Sequence, residues 1–204
     1  WPTWVLSNHD NVRQRSRYQG SERAARAAAV LLLTLRGTPF IYQGEELGLE
    51  DAHIADEARI DPGGRDGCRA PIPWLAEPPH DWNGASPWLP FPPDADELAA
   101  ERQVGAANSM FALYQRLLAA RKASPALLHG DFEELPSHPE VLAYRRQLGD
   151  DLRLVCINFA EAAHACPQSG DWTVEIASDG LGEGEPYAGT LNPGQALVLR
   201  PTEA

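Results

Sequence analysis

The chain has 204 residues, 43% hydrophobic and 23% charged, with a formal net charge of −12 and a pI of about 4.8. That is ordinary globular composition, with apolar mass for a sizeable core in one or two domains. The acidic balance argues against nucleic acid and anionic membrane as partners. The longest apolar run, residues 24–35, is interrupted by Arg26 and is too short to span a bilayer.

The sequence opens on Trp1, inside a strand-like run and without a basic leader. No signal peptide opens the chain, and it reads as a piece of a longer polypeptide. Residues 4–7 are a short apolar strand. Residues 21–36, rich in Ala, Leu and Arg, predict a helix with Ser21 as N-cap, Glu22 in the first turn and Gly37 as the stop. Residues 38–42 predict a second strand, with Pro39 near its start, where proline is tolerated. Strand, helix, strand in quick succession is a βαβ unit, so the strands should be parallel.

Residues 47–101 are irregular and hold 9 of the 18 prolines. A solvated linker would lack the apolar bulk of Trp74, Trp82, Trp88 and Phe91. The segment reads as an ordered loop that these aromatics anchor; stacking on sugar faces is the other reading of the tryptophans. Residues 102–123 predict a long helix, with Met110, Leu113, Tyr114, Leu117 and Leu118 at helical spacing and Arg116, Arg121 and Lys122 toward its C-terminal half. Ser124-Pro125 ends it. From residue 126 onward, short apolar runs at 141–144, 152–159, 172–176 and 196–199 alternate with turn residues, which is antiparallel β organisation. Residues 126–204 carry 13 acidic and 4 basic residues, against 16 and 13 in residues 1–125. A domain boundary is placed near residue 125.

Cys68, Cys156 and Cys166 lack metal-ligand spacing, and their odd number argues against a disulfide framework. Free thiols in a reducing, cytoplasmic setting are the expectation, with a Cys156–Cys166 bridge as the alternative. His53, His80, His129, His138 and His164 likewise show no mutual spacing for a metal and are given surface or hydrogen-bonding roles.

Two predicted strand ends carry polar clusters: Asn8, His9 and Asp10 with Arg13 just beyond, and Gln43 to Glu46. A His beside a carboxylate at a strand end suits gripping sugar hydroxyls or stabilising a positive transition state. An Arg three residues on can keep the carboxylate ionised. A polar turn with an Asx-type bond from Asn8 or Asp10 is the alternative. Glu45 and Glu46 are adjacent and point different ways, so a structural hydrogen-bonding role is expected of them.

Taken together, "LSNHDNVR", the Ala-rich helix, "GTPFIYQGEELGL" and "RDGCRAPIPW" resemble the C-terminal half of the α-amylase superfamily, glycoside hydrolase family 13. Within it they look most like the bacterial α-glucosidases and oligo-α-glucosidases. The resemblance covers residues 1–125; residues 126–204 carry no diagnostic motif. It implies α/β plus all-β architecture: the last two βα units of a (β/α)8 TIM barrel over residues 1–125, then an antiparallel β-sandwich over residues 126–204. It also implies retaining hydrolysis of α-glucosidic bonds in gluco-oligosaccharides, with no cofactor and no metal. Asp10 matches the third acidic residue of that family, which binds hydroxyls of the sugar and stabilises the oxocarbenium-like transition state. His9 matches the histidine on the same hydroxyls, and Arg13 an arginine near the neighbouring subsite. Arg69 and Trp74 would line the substrate entrance, with Asp66 a further candidate. The family's nucleophilic Asp and acid Glu follow earlier barrel strands, and neither motif occurs in this sequence. The chain alone is therefore expected to be inactive. A carbohydrate-binding or purely structural segment is the alternative, and the edges of a half-built barrel would favour self-association.

Overall fold

The computed structural model describes residues 1–80, 87–166 and 168–202. Trp82, one of the expected loop anchors, lies outside the described residues. The chain divides into two compact units, one of Trp1–Trp4, Arg26–Pro39 and Gln115–Ala204, the other of Val5–Ala25 and Phe40–Tyr114.

Strand β1 (Thr3–Val5) pairs with β2 (Thr38–Phe40) in a two-stranded sheet. Between them run a single-turn helix α1 (Gln14–Arg17) and the longer α2 (Glu22–Thr34). Ser21 does cap α2: its Oγ accepts from the Ala24 N–H at 3.2 Å. Strand, helix and strand thus follow in the expected order. Both strands leave apolar side chains open to solvent, with Val5 49% and Phe40 55% exposed.

The end of α2 leaves carbonyls without intrahelical donors. Two buried arginines from later in the chain take them. Arg121 donates to the carbonyls of Leu33 (2.8 Å), Leu35 (3.2 Å) and Gly37 (2.7 Å). Arg146 donates to the Thr34 carbonyl and, at 3.1 Å, to that of Gly130. A cation at a helix C-terminus is also favoured by the helix dipole. Burial pulls both guanidiniums down, Arg146 to about 10, a value at which it stays charged at neutral pH. The sequence assigned Arg121 to the end of its own helix; it serves the end of α2 instead.

Residues 41–99 contain only two single 3-10 turns, at Asp56–Ala58 and Gly67–Arg69, among the described residues. The segment is ordered around Leu47, Leu49 and Ile72, with Leu98, Ala100 and Phe111 packed against them. The expected anchors are corrected in part. Phe91 does pack, edge-on to His80 at 4.4 Å between ring centres. The side chains of Trp74 and Trp88 are mostly exposed, at 52% and 61%, and do not enter the apolar cluster that orders the described part of the loop. Aliphatic residues with backbone hydrogen bonds suffice, such as Ala100 N to Pro73 O and Glu101 N to Trp74 O. The single helix predicted over 102–123 is two, α3 (Ala100–Gln103) and α4 (Met110–Ala123). The break falls at Gly105, whose φ of +85° leaves the helical region.

Ser124 closes α4 and caps a further short helix, α5 (Pro125–His129), through Leu127 N. Five strands follow in one antiparallel sheet: β3 (Asp131–Leu135), β4 (Val141–Leu148), β5 (Asp151–Asn158), β7 (Trp172–Ala177) and β9 (Ala196–Pro201), in the spatial order β3-β4-β5-β9-β7. Its inner face buries Val141, Ala143, Leu154, Cys156, Val174, Leu197 and Leu199. All-β organisation was legible in the sequence, but the second layer of a sandwich is only a two-residue ribbon. It consists of β6 (His164–Ala165) and β8 (Thr190–Leu191). Five glycines and two prolines between residues 178 and 195 keep that stretch in turns. Cys156 and Cys166 lie 3.5 Å apart between sulfurs, and all three cysteines are buried free thiols. Among the described residues no helix is long and apolar enough to cross a membrane.

Candidate active site

Just beyond β1 the chain makes a tight polar turn. Asn8 Oδ1 accepts from Asp10 N and from Asn11 Nδ2, both at 2.9 Å. This is the Asx-type bond that a bland turn would have. The turn nevertheless pushes the next two side chains outward: His9 is 70% exposed and Asp10 48%. Their ring and carboxylate meet at 3.2 Å, His9 Nε2 to Asp10 Oδ2.

Two arginines from residues 61–69 converge on the same carboxylate. Arg65 donates to Asp10 Oδ1 at 2.8 Å, and Arg69 donates to that oxygen at 3.3 Å and to the His9 carbonyl at 2.8 Å. Asp61 aims Arg65. It takes the guanidinium Nε and NH2 groups (2.9 and 2.6 Å) and the backbone N–H (2.9 Å). The hydrogen bond from Arg65, then the charges of His9, Arg65 and Arg69, hold the Asp10 carboxyl below the usual range against a smaller desolvation effect. Asp61 is held lower still, first by the Arg65 bonds, and Arg65 is raised in return.

The cluster therefore joins His9, Asp10 and Arg69 of the expected residues and adds Arg65 and Asp61, which sequence reasoning missed. The signal for them was present: charges of alternating sign at 61, 65, 66 and 69 around the Pro62-Gly63-Gly64 turn. Asp66 stands apart. It is 1% exposed, and its Oδ2 accepts the N–H groups of Ile60 and Asp61, so it shapes the loop. Trp74 makes no side-chain hydrogen bond, ion pair or ring contact among the described residues and stands half-exposed.

Arg13 lies beneath the surface at 1% exposure. It donates to the Gln43 carbonyl at 2.7 Å, covers the Tyr42 ring at 4.9 Å, and its N–H is accepted by Asp51 at 2.8 Å. Here it holds the turn after β2. Gly44 is required by that approach: its φ is +90°, and a Cβ there would sit 2.8 Å from Arg13 NH1. The two glutamates take structural roles in the same turn. Glu46 accepts from Gly44 N, and Glu45 from Tyr42 N at 2.7 Å.

Glu45 is 2% exposed, and its other oxygen makes no hydrogen bond among the described residues. Burial pushes its carboxyl from the ordinary 4.5 to about 7 against the pull of the Tyr42 N–H. The folded state then binds this proton more tightly than the unfolded chain does. Stability falls as pH rises from the unfolded value through about 7, by about 3 kcal/mol at 1.36 kcal/mol per unit. Glu45→Gln keeps the acceptor for Tyr42 and removes the ionisation. Urea unfolding at pH 5 and pH 8 is expected to show a smaller stability gap in E45Q than in the parent chain.

The histidines need one correction. His138 and His164, whose sequence spacing gave no sign of a shared metal site, stack with ring centres 3.9 Å apart and planes at 22°, beside Glu140. Antiparallel pairing of β4 with β5, with Val141 opposite Asn158, brings the segments just outside it together, so residues 26 positions apart meet in a way that sequence spacing does not reveal.

The chain as a whole is similar to known proteins. The model of the α-amylase catalytic domain matches residues 1–130. A probable α-glucosidase of Rhizobium meliloti (strain 1021) is 37% identical over 176 residues, covering 80% of this chain and 32% of the relative. The trehalose-6-phosphate hydrolase of Bacillus subtilis (strain 168) is 30% identical over the whole chain and is covered to 43%. Among solved structures, trehalulose synthase MutB from Pseudomonas mesoacidophila MX-45 superposes with a TM-score of 0.86 at 27% identity, over 98% of this chain and 43% of that one. The chain thus spans about a third to two-fifths of the length of the relatives it matches.

Proposed function

The chain belongs to the α-amylase family, and from that premise we propose that it forms the C-terminal part of a retaining α-glucosidase acting on α-linked gluco-oligosaccharides. In this reading residues 1–125 supply the last two βα units of the catalytic barrel and residues 126–204 an all-β appendage. The observation that carries it is the ionised Asp10 carboxylate, presented outward beside His9 and flanked by Arg65 and Arg69. Such a group can accept sugar hydroxyls and oppose the positive charge that develops on the ring. The exposed apolar side chains of β1 and β2 support the same reading. Strands of a barrel are covered on both faces, so Val5 and Phe40 would be covered by the preceding barrel strands rather than by a second copy.

Each site residue then has a task. Asp10 and His9 grip the sugar, Arg69 and Trp74 border its entrance, and Arg13 positions the turn after β2. A longer polypeptide that completes the barrel is expected to cleave an aryl α-glucoside and release the α-anomer first, as proton NMR of the nascent sugar would show. Initial release of the β-anomer would overturn the retaining assignment.

The half-exposed rings of Trp74 and Trp88 favour a second reading, a carbohydrate-binding segment without catalysis. Calorimetry separates the two. Millimolar or tighter binding of maltose or isomaltose by the 204-residue chain, lost in the Trp74→Ala, Trp88→Ala double variant, is the outcome that the binding segment requires.

A further inference from the structure

The stacked histidines lie far along the chain from the Asp10 cluster and have no part in it. His138 and Glu140 stand in the turn that leads from β3 into β4. His164 opens β6. Both places are fixed by backbone bonds. Val141 N donates to His138 O at 2.8 Å, Ser137 Oγ to Val141 O at 2.6 Å, and Phe159 N to Glu140 O at 3.0 Å. Asn158, paired with Val141 across β4 and β5, ties the second segment through its side chain to the Ala162 carbonyl at 2.7 Å. His164 is held by pairing with Leu191 of β8.

The three side chains offer two imidazole nitrogens and a carboxylate oxygen, all within 4.8 Å of one another. His164 Nε2 is buried and makes no hydrogen bond among the described residues, although Glu140 Oε2 lies 3.5 Å away. A cation bound between the rings and the carboxylate would satisfy that nitrogen.

We propose that His138, Glu140 and His164 form a binding site for a divalent transition-metal cation of the zinc class. Two imidazoles with one carboxylate suit such borderline ions, whereas calcium and magnesium favour oxygen ligands alone. Zinc takes nitrogen and oxygen ligands at about 2.0–2.2 Å and meets each imidazole in the plane of its ring, so the two stacked rings must turn apart to share it. The adjustment falls on the exposed members. The Glu140 side chain is 61% exposed and free to swing, while that of His164 is 18% exposed and keeps its place. A metal here would staple the turn before β4 to the segment after β5, and open coordination positions would be filled by water.

The test uses the 204-residue chain freed of metal by a chelator, with zinc chloride titrated in a calorimeter. Saturable binding at micromolar affinity or tighter and a rise in melting temperature with zinc are expected. The exposed substitutions His138→Ala and Glu140→Gln should each weaken that binding by about tenfold or more while leaving the circular dichroism spectrum unchanged. Magnesium chloride should give no saturable heat. Absence of saturable zinc binding overturns the proposal. So does zinc binding that both variants retain at the parent affinity, since the metal then sits on other histidines or on cysteines.

Discussion

Assayed alone with an aryl α-glucoside, the 204-residue chain is expected to release aglycone no faster than buffer does. Retaining hydrolysis needs a nucleophilic carboxylate and a protonated carboxylic acid about 5–5.5 Å apart across the scissile bond. Neither Asp61, Asp10 nor Glu45 can take the acid's part. Asp61 is fixed by three hydrogen bonds from Arg65 and driven far below its ordinary pKa. Asp10 is itself held ionised by Arg65 and Arg69. Glu45, pushed up to about 7, is about half protonated at neutral pH, but it is 2% exposed and spends one oxygen on the Tyr42 N–H. A site with the stabilising carboxylate and no acid forfeits on the order of a million-fold in rate, as losses of whole catalytic groups do. Absorbance of released nitrophenol over a day at high protein concentration is the measurement. Turnover above the buffer rate, abolished by Asp10→Asn, would show that the catalytic set is complete within these residues and sink the proposed division of the site.

What the sequence disclosed and what it hid have physical causes. Helix α2 was legible because Ser21, the run of Ala and Leu, and Gly37 are local signals. The four longest strands of the β region were legible for the same reason. The gap between α3 and α4 was not, because a lone glycine in a helical pattern is tolerated as often as it breaks the helix. Asn8, His9 and Asp10 could be picked out together because a tight turn keeps neighbours in sequence near in space. Their partners Arg65 and Arg69 reach them across more than fifty residues, and only the folded loop around Asp66 brings them in. Arg13 was chemically conspicuous, yet its burial beneath Gly44 depended on a close approach that no one-dimensional pattern records. The His138–His164 pair is the extreme case, since only strand pairing joins it.

Within an enzyme that completes the barrel, Asp10→Asn is expected to lower kcat/KM on aryl α-glucosides by roughly 100- to 1,000-fold, the range seen when one transition-state stabilising group is removed. Asparagine keeps the shape and one acceptor oxygen, so ground-state contact with hydroxyls largely survives and KM moves less than kcat. What disappears is the negative charge that matters when the sugar ring becomes positive. The Arg65 clamp makes a second expectation about the same atom. Arg65 is the largest influence lowering the Asp10 pKa. Its removal in Arg65→Met lets the carboxyl take up a proton at higher pH, so an acid limb governed by Asp10 moves upward in the kcat/KM profile. Arg65 also occupies Oδ1, one of the oxygens that hydroxyls would use, and the same variant frees that oxygen. Its loss at neutral pH is therefore expected to be smaller than that of D10N, and the largest difference from the parent falls on the acidic side. If D10N retains the parent kcat/KM and R65M keeps the parent acid limb, the cluster beyond β1 is a polar turn stabilised by its own ion pairs, and the substrate is gripped elsewhere.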